Sequence, residues 1–238
     1  MSNIAKGGFN EEQFLCDNHR KFIPFLNNKD IDSKFSRTKD NSKTDICDEN
    51  NSNRCQVKKF KDKQKQQVDR HDVDDFESKI KLGDCIKFLK GLCEIPLKED
   101  GIYVDKSKGR INLSTKNYKE EELVKLIDIL NKKKIDIINF ALLGNNINKK
   151  PTYLIGSRWV NKKRNNLVIF KYDDIISSLS KFNFKIKPSK TVIELGESGF
   201  TLQRKGGDNG KKSSNQLQIN IIISKLIQIG IKHNEVEL

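Results

Sequence analysis

Apolar and polar positions follow two different periods along the chain, and together they predict helices interleaved with strands. A period of two is typical of strands, whereas apolar residues three or four apart are typical of helices. The segments with strand character are 44–60, 152–160, 166–172, 191–195, 200–205 and 215–223. No linker divides the chain. We therefore expect an α/β or mixed α+β fold, built as a single domain over residues 1–238.

The first helix is predicted over residues 9–26, because Phe14, Leu15 and Phe22 share one helical face. Pro24 should end or bend it.

The strongest helical signal begins after Asn117, which can cap, with Glu120 at the spacing of a capping box. Its apolar face would consist of Leu123, Leu126, Ile127 and Leu130. Weaker helices are predicted over 77–95, which contains two glycines, and over 173–182. The stretches 27–44 and 103–117 are predicted as loops, with a weak hairpin as the alternative for the second.

The composition adds a strong positive charge. The formal net charge is +14, the sequence pI is about 9.5 and the mean hydropathy is −0.68. A basic balance of this size points first to a phosphate backbone as partner, although a host with AT-rich codons would also raise the Lys content. No apolar run is long enough for a membrane span or a signal-peptide core, so we expect a cytoplasmic protein without a membrane partner. Five cysteines without C-x-x-C spacing argue against a disulfide framework and a zinc site.

The candidate chemistry lies between Asp45 and Lys58, where two short strands are predicted around a turn at 49–53. Gln56 and Lys58 are two residues apart and share one face of a strand, and pairing of the strands would bring Asp45 beside them. Mg²⁺ prefers oxygen ligands, which Asp45, the Gln56 amide and the main-chain carbonyl of Val57 can supply. Lys58 could orient a water and stabilise negative charge. A solvated strand edge is the alternative interpretation.

Glu12 on the first helix could direct a second carboxylate at the metal. The alternative is an ordinary acidic residue of a first helical turn, and the neighbouring Glu11 is equally available.

Two further segments have side chains suited to duplex DNA. The loop predicted after the second short strand contributes Gln66, Gln67, Arg70 and His71. The hairpin predicted at about 199–220 has a turn with forked donors and acceptors that match base edges in the major groove, with a bias toward G·C pairs. Its candidate reading residues are Gln203, Arg204, Lys205, Asp208 and Asn209, and Lys211 is a candidate phosphate contact. A satisfied surface histidine at 71 and a plain solvated hairpin are the alternatives.

Three stretches resemble one family in its order: "GGFNEEQF", "CQVKKFKDKQKQQVDRH", and "TLQRKGGDNG" followed by "NQLQI". They are similar to small type II restriction endonucleases that cut GCGC, relatives of enzymes that cut CCGG. The resemblance implies a restriction-endonuclease-like PD-(D/E)xK core, a mixed sheet flanked by helices, with Gln replacing the usual acid. Catalytic elements would lie at about 9–76.

By the same resemblance, Asp45, Gln56 and Lys58 would be catalytic, with Glu12 as the acid of the first helix. Gln67 would push into the base stack beside Arg70. The interval from Asp45 to Gln56 is shorter than in the GCGC enzymes, which keeps Asp48 as an alternative metal ligand.

The family implies Mg²⁺-dependent hydrolysis of double-stranded DNA at a short G·C-containing site, leaving 5′-phosphate ends. Mn²⁺ is the expected substitute metal, and a cognate DNA methyltransferase is the implied genetic partner. The sequence leaves open whether a monomer or a homodimer cuts. A catalytically silent DNA-binding protein, a basic RNA-binding protein and a nicking enzyme are the remaining alternatives.

Overall fold

The computed structural model describes residues 3–27, 30, 32–38, 43–93, 119–145, 149–188, 192–205 and 216–238. Two compact units are present, and each is assembled from separated segments. The first unit comprises Met1–Gln66, Leu142–Ser178 and Ile222–Leu238, and the second comprises Gln67–Ala141 and Leu179–Ile221.

The elements are interleaved along the chain. The strands are β1 (Phe35–Arg37), β2 (Ile46–Asp48), β3 (Arg54–Phe60), β4 (Gln66–Asp72), β5 (Tyr153–Val160), β6 (Lys163–Lys171), β7 (Phe184–Ile186), β8 (Val192–Leu195), β9 (Thr201–Arg204), β10 (Gln216–Ile221) and β11 (His233–Glu237). The α-helices are α1 (Asn3–Asp17), α2 (Val73–Ile80), α3 (Ile86–Cys93), α4 (Glu120–Lys132), α5 (Lys134–Leu143), α6 (Tyr172–Leu179) and α7 (Ile223–Gln228).

The first unit is built on a six-stranded mixed sheet with the strand order β1-β2-β3-β5-β6-β11. All neighbouring pairs are antiparallel except β3 and β5, which are parallel. One face packs against α1 and the two short 3-10 helices that follow it, with Leu15 and Phe22 fully buried. Cys55 and Val57 of β3 point into this core. Because side chains alternate along a strand, Gln56 and Lys58 lie on the opposite face.

The second unit has a five-stranded sheet with the order β4-β10-β9-β8-β7, in which β7 to β10 pair antiparallel. Helices α2 and α3 pack on β10, and α4 packs on β7. Phe76 and Phe140 meet edge to face, with ring centroids 5.9 Å apart. These contacts give the second unit an apolar core of its own.

The predicted strands at 44–60, 152–160, 166–172, 191–195, 200–205 and 215–223 are confirmed in type. The mixed α+β class with helices flanking a central mixed sheet is also confirmed. Within the described residues, no helix is long and apolar enough to cross a membrane.

Four predictions of local structure were wrong, and two of them have a cause in the local chain. The first helix ends at Asp17, where the Asn18 side chain donates to the Phe14 carbonyl at 2.9 Å, and 3-10 turns continue toward Pro24. The helix over 77–95 breaks at Lys81 and Gly83, both at positive φ. The loop at 27–44 contains β1, and the loop predicted after β3 continues as β4.

The helix predicted after Asn117 is confirmed as α4, but its N-cap is Lys119, whose N–H donates to the Glu122 carboxylate at 3.1 Å. Leu126 and Leu130 are fully buried, as its apolar face required. Asn117 and the stretch 103–117 lie outside the described residues.

Candidate active site

The site begins where β2 and β3 open away from each other. Ile46 pairs with Cys55 at the last paired position of β2, and Asp45 precedes it. The Asp45 N–H donates to the Cys55 carbonyl at 2.9 Å. The Asp45 Oδ2 atom accepts the Val57 N–H at 2.7 Å, in the place of a β2 carbonyl. This bond fixes the carboxylate at the mouth of the opening.

The Val57 carbonyl belongs to the same opening. The N–H and C=O of one strand residue point toward the same neighbouring strand. Because the Val57 N–H faces Asp45, its carbonyl faces that edge as well. The structure therefore brings Asp45, Gln56, Val57 and Lys58 together at one end of a strand pair.

The Gln56 side chain is hydrogen-bonded to Tyr172, a residue that the sequence analysis did not identify. The Tyr172 hydroxyl donates to Gln56 Oε1 at 2.6 Å, and the two residues are 1% and 3% exposed. Burial raises the pKa of the Tyr172 phenol well above its usual value, so the hydroxyl keeps its proton at neutral pH. Since an amide oxygen has two lone pairs, one remains for a metal ion or its water.

Tyr172 is itself anchored to the sheet. Its N–H donates to the Thr152 carbonyl at 3.0 Å, where β6 gives way to α6. The Thr152 N–H donates to the Arg54 carbonyl at 2.7 Å, and the Arg54 N–H donates to the Thr152 hydroxyl at 3.1 Å. The start of β3 and the hydroxyl that orients Gln56 are thus fixed by one connected set of bonds.

The two neighbouring glutamates of α1 have different surroundings. Glu11 is buried and accepts two bonds from the Arg164 guanidinium, at 2.7 and 3.2 Å. That guanidinium also lies 3.4 Å from the centroid of the Phe14 ring. Glu12 accepts a 2.9 Å hydrogen bond from Arg37, and the charge of Asp45 raises the pKa of Glu12. The geometry therefore favours Glu12 over Glu11 as the second acid.

The carboxyl groups of Glu12 and Asp45 both have raised pKa values. Burial raises the pKa of Glu12, and repulsion from Asp45 adds to the effect, although Arg37 and Lys58 oppose it. Burial also raises the pKa of Asp45, against the charge of Lys58 and the Val57 N–H. A divalent cation between the two carboxylates would lower both pKa values.

The donor set fits a hard cation that keeps several waters. Among the described residues, no three His, Cys, Asp or Glu side chains form a group that could hold a metal ion. An ion here would be held by Asp45, the Gln56 amide oxygen and the Val57 carbonyl, with Glu12 reaching it through water. Oxygen ligands and retained waters are what Mg²⁺ prefers.

Asp48, the alternative ligand, has a different task. It is buried, and its oxygens accept the Asn53 N–H at 3.1 Å and the Asn53 side-chain amide at 3.0 Å. It lies on the strand face of Ile46, opposite to that of Asp45. The carboxylate closes the turn between β2 and β3.

The candidate DNA-binding residues are placed on the sheet of the second unit. Gln67 and Arg70 are exposed on β4 and, three residues apart, point to opposite faces. Gln203 and Arg204 are consecutive on β9, so they also point to opposite faces, and they are 2% and 6% exposed.

Lys205 follows β9, and its N–H donates to the Gln216 carbonyl at 2.8 Å. Asp208, Asn209 and Lys211 lie outside the described residues. The roles of all these residues in DNA binding stay predictions.

His71, a candidate for contact with duplex DNA, already has a hydrogen-bond partner within the protein. Its Nε2 lies 2.7 Å from an Asp69 oxygen, and its ring packs on Phe140 with centroids 4.5 Å apart. The arrangement favours a structural histidine.

Comparison with solved structures gives an informative likeness. The chain is similar to the crystal structure of the restriction endonuclease MspI in complex with its cognate DNA. The TM-score is 0.52 at 16% sequence identity, over 86% of this chain and 77% of that chain. No protein-family model and no curated protein matches the chain. At this identity the likeness shows the fold, which is that of a restriction endonuclease.

Proposed function

We propose that this protein is a type II restriction endonuclease that hydrolyses double-stranded DNA with Mg²⁺, Mn²⁺ being able to substitute. One observation carries the proposal: Asp45, Gln56, Val57 and Lys58 converge where β2 and β3 open, with Glu12 within electrostatic reach. The likeness in fold to a restriction endonuclease bound to DNA supports it.

The residues divide the reaction among them. Asp45, held by the Val57 N–H, would bind the metal together with the Gln56 amide oxygen. Bound Mg²⁺ would lower the pKa of a water and offset phosphate charge. Lys58, on the strand face of Gln56, would orient the attacking water and stabilise negative charge on the phosphate. Tyr172 would keep the Gln56 amide in one orientation throughout.

The biological setting follows from that activity. The site cut would be short and contain G·C pairs, read by Gln203, Arg204, Lys205, Asp208 and Asn209. The products would carry 5′-phosphates. A methyltransferase acting on the same sequence would protect the host DNA, and both monomeric and dimeric action are compatible with this chemistry.

The test is digestion of a plasmid of known sequence, in parallel with Mg²⁺, Mn²⁺ and EDTA, followed by sequencing of the ends. Discrete fragments that require the metal are expected, and their ends give the site and the cut position. An intact plasmid under every metal and salt condition would contradict the proposal. A catalytically silent binder would instead retard the same DNA without cutting it.

A further inference from the structure

Basic residues are concentrated in two segments of the first unit. Residues 58–65 and 158–164 contain nine Lys or Arg and one Asp, whereas the whole chain has 46 basic and 32 acidic residues. A general bias toward lysine would spread over the chain, so this concentration needs a local reason.

The sheet brings the two segments side by side. β3 and β5 run parallel, with Phe60 beside Arg158. The loop after β3 and the turn after β5 therefore leave the same edge of the sheet. Arg158 reaches back to Asp62 of the loop, with a guanidinium nitrogen 2.9 and 3.0 Å from the two carboxylate oxygens. This ion pair joins β5 to the loop that follows β3.

Both connections hold lysines in an unfavourable backbone conformation. β5 and β6 are joined by the two-residue turn Asn161-Lys162, with φ of 49° and 64°. Lys63 in the other loop has φ of 60°. Glycine is usual at such positions, and a lysine there is strained by roughly 1 kcal/mol or more. Lys63 and Lys162 thus stand in the two connections at positions where glycine would be easier to place.

Four exposed lysines form the surface, which we name the basic rim: Lys61, Lys63, Lys162 and Lys163. Within the described residues, none of the four pairs with a carboxylate. The neighbouring cations are used internally, since Arg164 pairs with Glu11 and the Lys59 ammonium lies 3.2 Å from the centroid of the Trp159 ring. The rim is thus the part of the cluster that presents charge to solvent.

We propose that the basic rim binds the phosphate backbone of duplex DNA outside the sequence that is cut. The inference rests on the proposed nuclease function, because that function makes duplex DNA the polyanion the chain meets. Lysine ammonium groups attract phosphate as point charges and read no base, so the contribution is independent of sequence. It would raise affinity for all DNA and hold the protein on the duplex during a search.

The test uses a duplex of about 30 A·T pairs, which contains no G·C site, in EDTA to prevent cutting. Affinity is measured by fluorescence anisotropy over a range of salt. The variant Lys162→Gln/Lys163→Gln should lower the slope of log K against log salt by about 1.8, and the affinity at 0.1 M salt by roughly 10- to 60-fold. The matched control is Lys171→Gln/Lys232→Gln, exposed lysines at the other end of β6 and beside β11. It should keep the wild-type slope.

The single tryptophan gives an independent readout at the rim. Trp159 is the only Trp in the chain and lies next to the turn. Duplex binding should change its fluorescence in the wild type and in the control variant, and much less in the rim variant. A rim variant with wild-type slope and wild-type fluorescence change would overturn the proposal. A rim variant that loses affinity for an RNA duplex but keeps its affinity for duplex DNA would also overturn the proposal.

The two proposals fail in different ways. If the plasmid is never cut but the rim variant loses its salt slope, the nuclease function fails and the rim remains a DNA-binding surface. If the plasmid is cut and the rim variant binds like the control, only the rim proposal fails.

Discussion

Replacing Tyr172 with Phe isolates one buried hydrogen bond behind the candidate site. The ring stays in place, so no large cavity forms, and only the hydroxyl that donates to Gln56 Oε1 is lost. Both residues are buried, so the amide oxygen would lose its partner without gaining bulk water. Such a loss costs about 1–3 kcal/mol. For a chain of this size the melting temperature should fall by roughly 2–4 °C for each kcal/mol.

The same substitution should slow cleavage more than it weakens DNA binding. Without the hydroxyl, the Gln56 amide loses the bond that orients it, and in the proposed function a misplaced metal ligand lowers the cleavage rate. We expect at least a tenfold lower single-turnover rate, with the affinity for DNA in EDTA unchanged. Urea unfolding measures the first effect, and quenched cleavage with excess protein measures the second.

A double-mutant cycle with Gln56→Leu makes the reasoning refutable. If the hydroxyl acts through Gln56, Tyr172→Phe should add little further destabilisation or rate loss in the Gln56→Leu background, giving a coupling energy of about 1–3 kcal/mol. Equal losses in both backgrounds, or a Tyr172→Phe variant with wild-type stability and rate, would refute the role assigned to Tyr172.

Two further predictions concern the carboxylates. Raised pKa values mean that the metal-free folded protein holds protons at Asp45 and Glu12 more tightly than the unfolded chain does, so these groups lower stability as the pH rises from the ordinary carboxyl range through their raised values. Asp45→Asn removes this penalty, so the variant should melt at a higher temperature than wild type in EDTA at neutral pH. It should also lose cleavage and stabilisation by Mg²⁺. Thermal melts with and without metal check this, and a lower melting temperature in EDTA would contradict it. Glu11→Gln breaks the buried pair with Arg164 and should lower the free energy of unfolding in urea by about 3 kcal/mol. Glu12→Gln should leave stability within about 1 kcal/mol of wild type and slow cleavage. The reverse pattern would make Glu11 the second acid of the site and Glu12 the structural residue.

The sheet positions of the candidate site could be predicted from the sequence because they depend on local pattern. The alternation of 44–60 and the Asn/Ser turn set the register of β2 and β3. The pairing of the two strands brings Asp45 to the Val57 N–H, and the period of two puts Lys58 on the same face as Gln56. These are short-range consequences of strand geometry.

Tyr172 and Arg37 could not be found in the same way. Tyr172 reaches Gln56 from 116 residues further along the chain, and Arg37 reaches Glu12 from a strand inside a stretch predicted as loop. The one available signal was a hydroxyl-bearing aromatic at the end of an apolar strand, where a buried Tyr needs a partner. The identity of that partner depends on the tertiary fold and cannot be taken from the local sequence.

The candidate base-recognition residues show the opposite limit. The sequence grouped Gln203 and Arg204 together, but strand geometry separates these consecutive residues onto two faces. A motif written as a string of letters does not reveal which of its side chains share a surface.

Single-turnover cleavage of plasmid DNA by Lys58→Ala, with protein in excess and Mg²⁺ present, tests the central claim most directly. Lys58 shares its strand face with Gln56 at the strand opening, whereas Lys171, the matched control, is an exposed lysine at the far end of β6. We predict that Lys58→Ala binds the plasmid like wild type and loses cleavage by a factor of at least about 100, while Lys171→Ala cuts normally. Undiminished cleavage by Lys58→Ala would show that the Asp45–Gln56–Lys58 set is not the catalytic centre.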